Sequence, residues 1–311
     1  IYFLYYLYKL YKMKRKVIKQ ADQAFTITLP IDWVRKNNID KNSEVNVDII
    51  EKSLIINSNN PISGGSIKVD FTGLHQRNIY RHIIALYTKG IDEIEIISDK
   101  DISPLIMKTL NSLIGYGLIS HKKDSYVIKE FGSSAYQNLD EIFKRVFQMI
   151  LLFYEAAIKD IFGEEKETID NLLARDLEVN KFCFYLQRAI NKMSYQDPIN
   201  GRILFTYSYV LEKISDEIER LWRLNIQHKP KKSKEIRELI ELSKEGLSKA
   251  FNIYYQFNSS KLDDIYVIRE KVREKSMLKR IDPDTSRFIR HIVKIVEEAA
   301  DLNHLTLMSK L

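Results

Sequence analysis

Hydrophobic and polar positions change their spacing twice along the chain. Before residue 58 the pattern is that of short strands: Phe25-Thr26-Ile27-Thr28-Leu29 alternates strictly, and Lys16-Val17-Ile18 is a briefer β-branched run. Alternation at period two predicts strands with one covered face. Pro30 closes the second run and suits the first turn of a helix over 32–36, with Asn37-Asn38 as its left-handed stop. Two more strands are expected over 44–48 and 53–56, turning at Glu51-Lys52. Elements this few and short enclose little apolar surface, so the segment needs a partner, most simply a second copy.

After a linker, Pro61-Ile62-Ser63-Gly64-Gly65, strands and helices alternate. The pattern predicts a strand over 67–71, a helix over 75–89 and a strand over 91–97. A second helix opens near Pro104 and runs to about Leu113; a hairpin over 116–121 and 126–131 turns at Lys122-Lys123-Asp124. This β-α-β-α-β-β order implies helices packed on a small sheet. From Tyr136 onward, apolar residues recur at three and four positions, and Pro198, Pro230 and Pro283 fall between periodic stretches. Six helices are expected, near 137–162, 165–193, 199–227, 233–257, 260–279 and 284–309, forming a bundle of two three-helix halves. The expected fold is therefore multidomain: a β-rich head over 13–60, an α/β domain over 61–133, and an all-α bundle over 134–311 with halves at 134–228 and 229–311.

Composition narrows the class. Lys and Arg exceed Asp and Glu by 49 to 42, a charge of +7 that permits an anionic partner without requiring one. A single cysteine, Cys183, excludes a disulfide framework and a multi-cysteine zinc site and suits a reducing, cytoplasmic location. The aromatic stretch Ile1-Tyr2-Phe3-Leu4-Tyr5-Tyr6-Leu7-Tyr8 is too short to span a bilayer, and its charges, Lys9 and Lys12, follow rather than precede it. Since Met13 opens the patterned region, residues 1–12 are expected to be an upstream extension. No membrane span is expected.

Catalytic motifs are missing. Gly64-Gly65 lies in a linker, Gly115-Tyr116-Gly117 precedes a strand, and no Gly-x-Ser-x-Gly elbow occurs. The histidines form no metal-binding pair at helical spacing; His75 and His82 read as a polar face, and Cys183 between Phe182 and Phe184 as a buried structural residue. A non-enzymatic protein without an organic cofactor is expected. Residues 1–20 contain six basic side chains and no acid, a composition that fits phosphate neutralisation or a solvated basic strand. The basic run at 229–234 reads as a solvated linker.

The bundle carries an internal echo. Leu211-Glu212-Lys213-Ile214-Ser215-Asp216 and Val296-Glu297-Glu298-Ala299-Ala300-Asp301 share Glu-x-x-x-Asp at one offset, 85 residues, from 212 to 297 and from 216 to 301. At 100° per residue, Asp216 lies about 40° from Glu212 and well away from the apolar set Leu211, Ile214, Ile218, Leu221 and Trp222. The carboxylates thus face solvent or a neighbouring helix rim, and His304 falls 85 residues after Glu219.

Two family resemblances organise these features. Lys14-Arg15-Lys16, Thr26-Ile27-Thr28-Leu29-Pro30, Trp33-Val34-Arg35-Lys36 and the closing strands resemble the AbrB/SpoVT swapped-hairpin DNA-binding domain, with Asn38 and Asn42-Ser43 where that family has Gly and Gly-Asp. Arg175-Asp176-Leu177-Glu178-Val179-Asn180-Lys181 and Leu211-Glu212-Lys213-Ile214-Ser215-Asp216-Glu217-Ile218-Glu219 resemble the acidic helices of PhoU-type proteins, with Ser215 where Gly is usual. Together with Ala85-Leu86-Tyr87-Thr88-Lys89-Gly90 of the α/β domain, the arrangement is similar to archaeal PhoU-type proteins with an AbrB-like head, over nearly all of 13–311.

The resemblance implies a homodimer or higher homo-oligomer that regulates phosphate uptake. DNA contacts would come from Lys14, Arg15, Lys16, Lys19, Arg35 and Lys36, with Trp33 in the head's core. A metal cluster of iron, manganese or zinc, or magnesium, would be held by Asp176, Asn180, Glu212, Asp216, Glu297, Asp301 and His304. The alternative is an adaptor whose head only dimerises and whose bundle docks on a phosphate ABC transporter or its kinase.

Overall fold

The computed structural model describes residues 14–20, 24–50, 53–58, 65–131, 139–192, 198–278 and 281–311. The expected extension at 1–12 and the turn at Glu51-Lys52 lie outside these residues. Contacts divide the chain into two units, 1–61 and 62–311.

In the first unit β1 (Ile18–Gln20) pairs antiparallel with β2 (Ala24–Thr26), Lys19 opposite Phe25. β2 is shorter than the alternation predicts, because Ile27, Thr28 and Leu29 have no ladder partner in this pairing, and β1 lies two residues later than the expected 16–18. Helix α1 (Ile31–Lys36) follows Pro30, and Asn38 supplies the left-handed stop at φ 52°. Asn tolerates this backbone because its short amide bonds locally. Next to it, Asn37 donates to the Trp33 carbonyl and accepts from Ser58. β3 (Val45–Ile50) and β4 (Ser53–Ser58) form an antiparallel hairpin with Ile50 opposite Ser53. No residue of 14–58 whose burial is described is buried. Trp33, expected in a core, is half-buried, since these short elements cannot wrap a ring of that size.

The second unit begins with a four-stranded sheet, order β5 (Ser66–Asp70), β6 (Glu93–Ile97), β8 (Ser125–Glu130), β7 (Tyr116–Lys122). β5 and β6 are parallel; the other neighbours are antiparallel. Helices α2 (Gln76–Lys89) and α3 (Ser103–Leu110) join the sheet in one core, Ile79, Ile83 and Ile106 with Ile94, Ile96, Tyr126 and Ile128. Elsewhere the strands carry the ion pairs Lys68–Glu95 and Lys129–Glu93. His75 caps α2 by accepting from Arg77 N–H, and Gly90, at φ 97°, ends it.

The body is helical: α4 (Leu139–Phe162), α5 (Ile169–Lys192), α6 (Pro198–His228), α7 (Lys234–Tyr255), α8 (Leu262–Ser276) and α9 (Pro283–Lys310). α4, α5 and α6 pack on one another, as α8 and α9 do with α7. α6 against α9 and α4 against α7 join the two groups around one continuous core. Pro198 and Pro283 begin helices rather than separating them, since the first turn has no use for their missing N–H. Among the described residues no helix is long and apolar enough to cross a membrane. The α/β layer joins this body through α2, which packs along α5, and Phe184 of α5 enters the α/β core.

Candidate metal centre and basic head

Helix α5 is amphipathic: Leu172, Val179, Cys183 and Leu186 enter the core, which leaves Asp176 and Asn180, one turn apart, on a flank against α6. Ser215, buried on α6, donates to Asp176 Oδ1 at 2.8 Å, and Asn180 Nδ2 donates to Oδ2 at 3.0 Å. Glu212 and Asp216 flank Ser215 on the same helix, and their side chains are largely covered.

Burial pushes the Asp176 carboxyl up to about 7; the Ser215 bond opposes this, while the charges of Asp216, Glu219 and Glu212 add to it. Glu212 is raised as well, by burial and by Asp216, against the pull of Lys213. Tyr80 of α2 sits within electrostatic reach: burial and then the charges of Glu212, Asp176 and Asp216 raise its hydroxyl. Cys183 is buried and raised by its burial, which agrees with a structural thiol.

The donor set suits a hard cation: carboxylates and one amide oxygen, Asn180 Oδ1, which is buried with no hydrogen-bond partner. As the side chains stand, cationic residues hold these carboxylates. Lys213 reaches Glu212 at 2.8 Å and Asp216 at 3.5 Å, and Arg220 reaches Asp216 at 2.7 Å. Among the described residues no three His, Cys, Asp or Glu side chains are arranged to hold a metal ion. Loading would require Lys213 and Arg220, both partly exposed, to swing aside.

The candidates on α9 stand apart. Glu297 pairs with Arg273 of α8 at 3.0 Å, and Asp301 and His304 are exposed. Glu298 feels α6: burial, Asp301 and Glu217 raise it, while Lys294 and Lys213 oppose. Asp176 and Asn180 thus lie on a flank facing the helix of Glu212 and Asp216, within electrostatic reach of them, and Glu297, Asp301 and His304 are not brought to that flank.

In the head, Lys14, Arg15 and Lys16 precede β1, Lys19 lies within it, and Arg35 and Lys36 occupy the last turn of α1; all six are exposed. The sequence reading did not single out Tyr80 or the buried pair of Glu217 and His291. Neither has a local signal, since each acquires its meaning from a partner far away in the chain. No family model matches the chain, and no curated protein and no solved structure matches it.

Proposed function

We propose that this chain is a cytoplasmic, non-enzymatic regulator of phosphate uptake. Its head is read as a swapped-hairpin DNA-binding dimer of the AbrB/SpoVT kind, and its helical body as two PhoU-like three-helix repeats that bind a hard cation. One observation carries the reading: a β head with six exposed basic side chains and no described buried residue shares a chain with a helical flank where Asp176, bonded by Ser215, lies within electrostatic reach of Glu212 and Asp216. The link to phosphate comes through the family resemblance alone.

In this reading the head's exposed apolar side chains are covered by a second copy. Arg15 and Arg35 address base edges, because a guanidinium makes two parallel hydrogen bonds, and the lysines address phosphates. In the body, Asp176, Asn180, Glu212 and Asp216 would hold iron, manganese, zinc or magnesium.

The test is a salt titration of the full-length chain on random duplex DNA, followed by fluorescence anisotropy. Affinity should fall steeply with salt, and Lys14→Ala/Lys16→Ala should reduce the logarithmic slope by about 1 per lost phosphate contact. No binding at low salt, with the oligomer intact, overturns the DNA reading and favours an adaptor that docks on a phosphate transporter.

A further inference from the structure

Helix α5 bears a second polar group at its other end, beyond the carboxylate flank. Arg188 is 0% exposed, yet every part of its guanidinium is engaged. Nη1 donates to the carbonyls of Tyr87 at 2.9 Å and Ile91 at 2.8 Å, where α2 ends. Nη2 donates to Asp92 at 3.0 Å and Glu130 at 2.8 Å, and the group lies 4.9 Å from the ring centres of both Tyr87 and Tyr116. Lys192 reaches the same Asp92 and Glu130, and Asn191 donates to the Thr88 carbonyl. Two cations meet two carboxylates, so the charge closes on itself; removing either side strands buried charge.

This grip fixes the end of α2 against α5, along which α2 packs, and Tyr80, half-buried on α2, lies within electrostatic reach of Asp176, Glu212 and Asp216. Glu212 is 13% exposed, whereas Glu297 is 41% exposed and Asp301 lies open.

We propose that the α/β layer is a latched cover over the carboxylate cluster, with Arg188 and Lys192 as the latch and Tyr80 as the covering side chain, so that solute access to Asp176 and Glu212 is set by the latch. What such a cover would admit rests on the cation reading above; the cover itself is tested without metal.

The experiment is carboxyl labelling of the full-length, metal-free chain with a water-soluble carbodiimide and glycine ethyl ester, read residue by residue by mass spectrometry. In the parent, Asp176 and Glu212 should label several-fold more slowly than Glu297 and Asp301. Arg188→Met and Lys192→Met should raise labelling at Asp176 and Glu212 at least threefold and leave Glu297 and Asp301 unchanged. Tyr80→Ala should do the same without disturbing Asp92 or Glu130. Should Arg188→Met fail to fold, the Lys192 and Tyr80 variants decide. Unchanged labelling in both, with native circular dichroism, overturns the proposal, as does parent labelling of Glu212 as fast as Glu297. Latch-dependent labelling in a protein that binds no metal would uphold the cover and sink the cation reading.

Discussion

His291 of α9 lies with Nδ1 2.6 Å from Glu217 Oε2 of α6, both side chains buried where the two helices cross. An ionised carboxylate can only accept, so the imidazole donates. Lys294 Nζ reaches the other oxygen at 2.8 Å, and Arg220 adds a second cation there. This group joins the two sets of three helices with charge rather than with apolar surface alone.

Burial by itself would raise the Glu217 carboxyl. The hydrogen bonds from His291 and Lys294 and the charges of Lys294 and Arg220 outweigh it and hold the pKa down to about 2, against an ordinary 4.5. A carboxyl depressed on folding stabilises above its unfolded pKa, and that contribution is lost as pH falls through the folded value. Urea melts should therefore show stability declining between about pH 4.5 and 2, with a shallower slope in Glu217→Gln. At pH 7 that variant should be less stable by about 3 kcal/mol, because His291 and Lys294 lose the charge they face.

Asp176 has the opposite sign. Its carboxyl is raised by burial to about 7 from 3.8, so the folded chain holds its proton longer and stability falls as pH climbs between those values. In metal-free protein Asp176→Asn should be more stable than the parent above pH 7, by on the order of 2 kcal/mol, the gap closing below about pH 4. Equal melting temperatures at pH 8 would refute this.

Gly90 ends α2 at φ 97°, and a Cβ there would stand 3.0 Å from Lys192 Cγ. Gly90→Ala should cost about 1–2 kcal/mol, from left-handed strain plus displacement of a latch residue. Gly73, at φ 73° with open space around it, meets only the strain. Chemical denaturation should rank Gly90→Ala below Gly73→Ala.

Phe25 is 70% exposed and Ile49 78%, on the two hairpins of the head. Side chains this apolar, left open in a single copy, predict a self-associating head. Light scattering should give at least a dimer mass for the full chain, and Phe25→Lys/Ile49→Lys should lower it at micromolar concentration. An unchanged mass would place self-association elsewhere.

Elemental analysis after incubation with manganese, zinc or iron and gel filtration should find metal in the parent and less in Glu212→Ala/Asp216→Ala. Equal, near-zero content would leave these carboxylates as a half-buried acidic flank neutralised by Lys213 and Arg220.

Much of the layout could be read along the chain, because its causes are local. The three-four spacing of apolar residues placed the six long helices to within a few residues, and Gly90 marks the end of α2 through its own backbone freedom. Strand ends were less legible: β1 and β2 stop where hydrogen-bonding partners stop, which alternation does not encode. The prolines at 198 and 283 read as separators only until their helices show them in the first turn.

The site divides in the same way. Spacing along one helix placed Glu212 and Asp216 on a common flank, since i and i+4 share a face whatever surrounds them, whereas Asp176 and Asn180 were named through the family resemblance. By itself, then, the sequence determined the elements, the flank each carboxylate occupies and the basic character of the head. Which flanks meet was decided by tertiary packing. Asp176 finds Ser215 39 residues away, Glu217 finds His291 74 away, and Arg188 finds the Ile91 carbonyl 97 away. The reason is physical: a helix's own period specifies what it buries, but the neighbour that covers its polar flank depends on how whole layers dock.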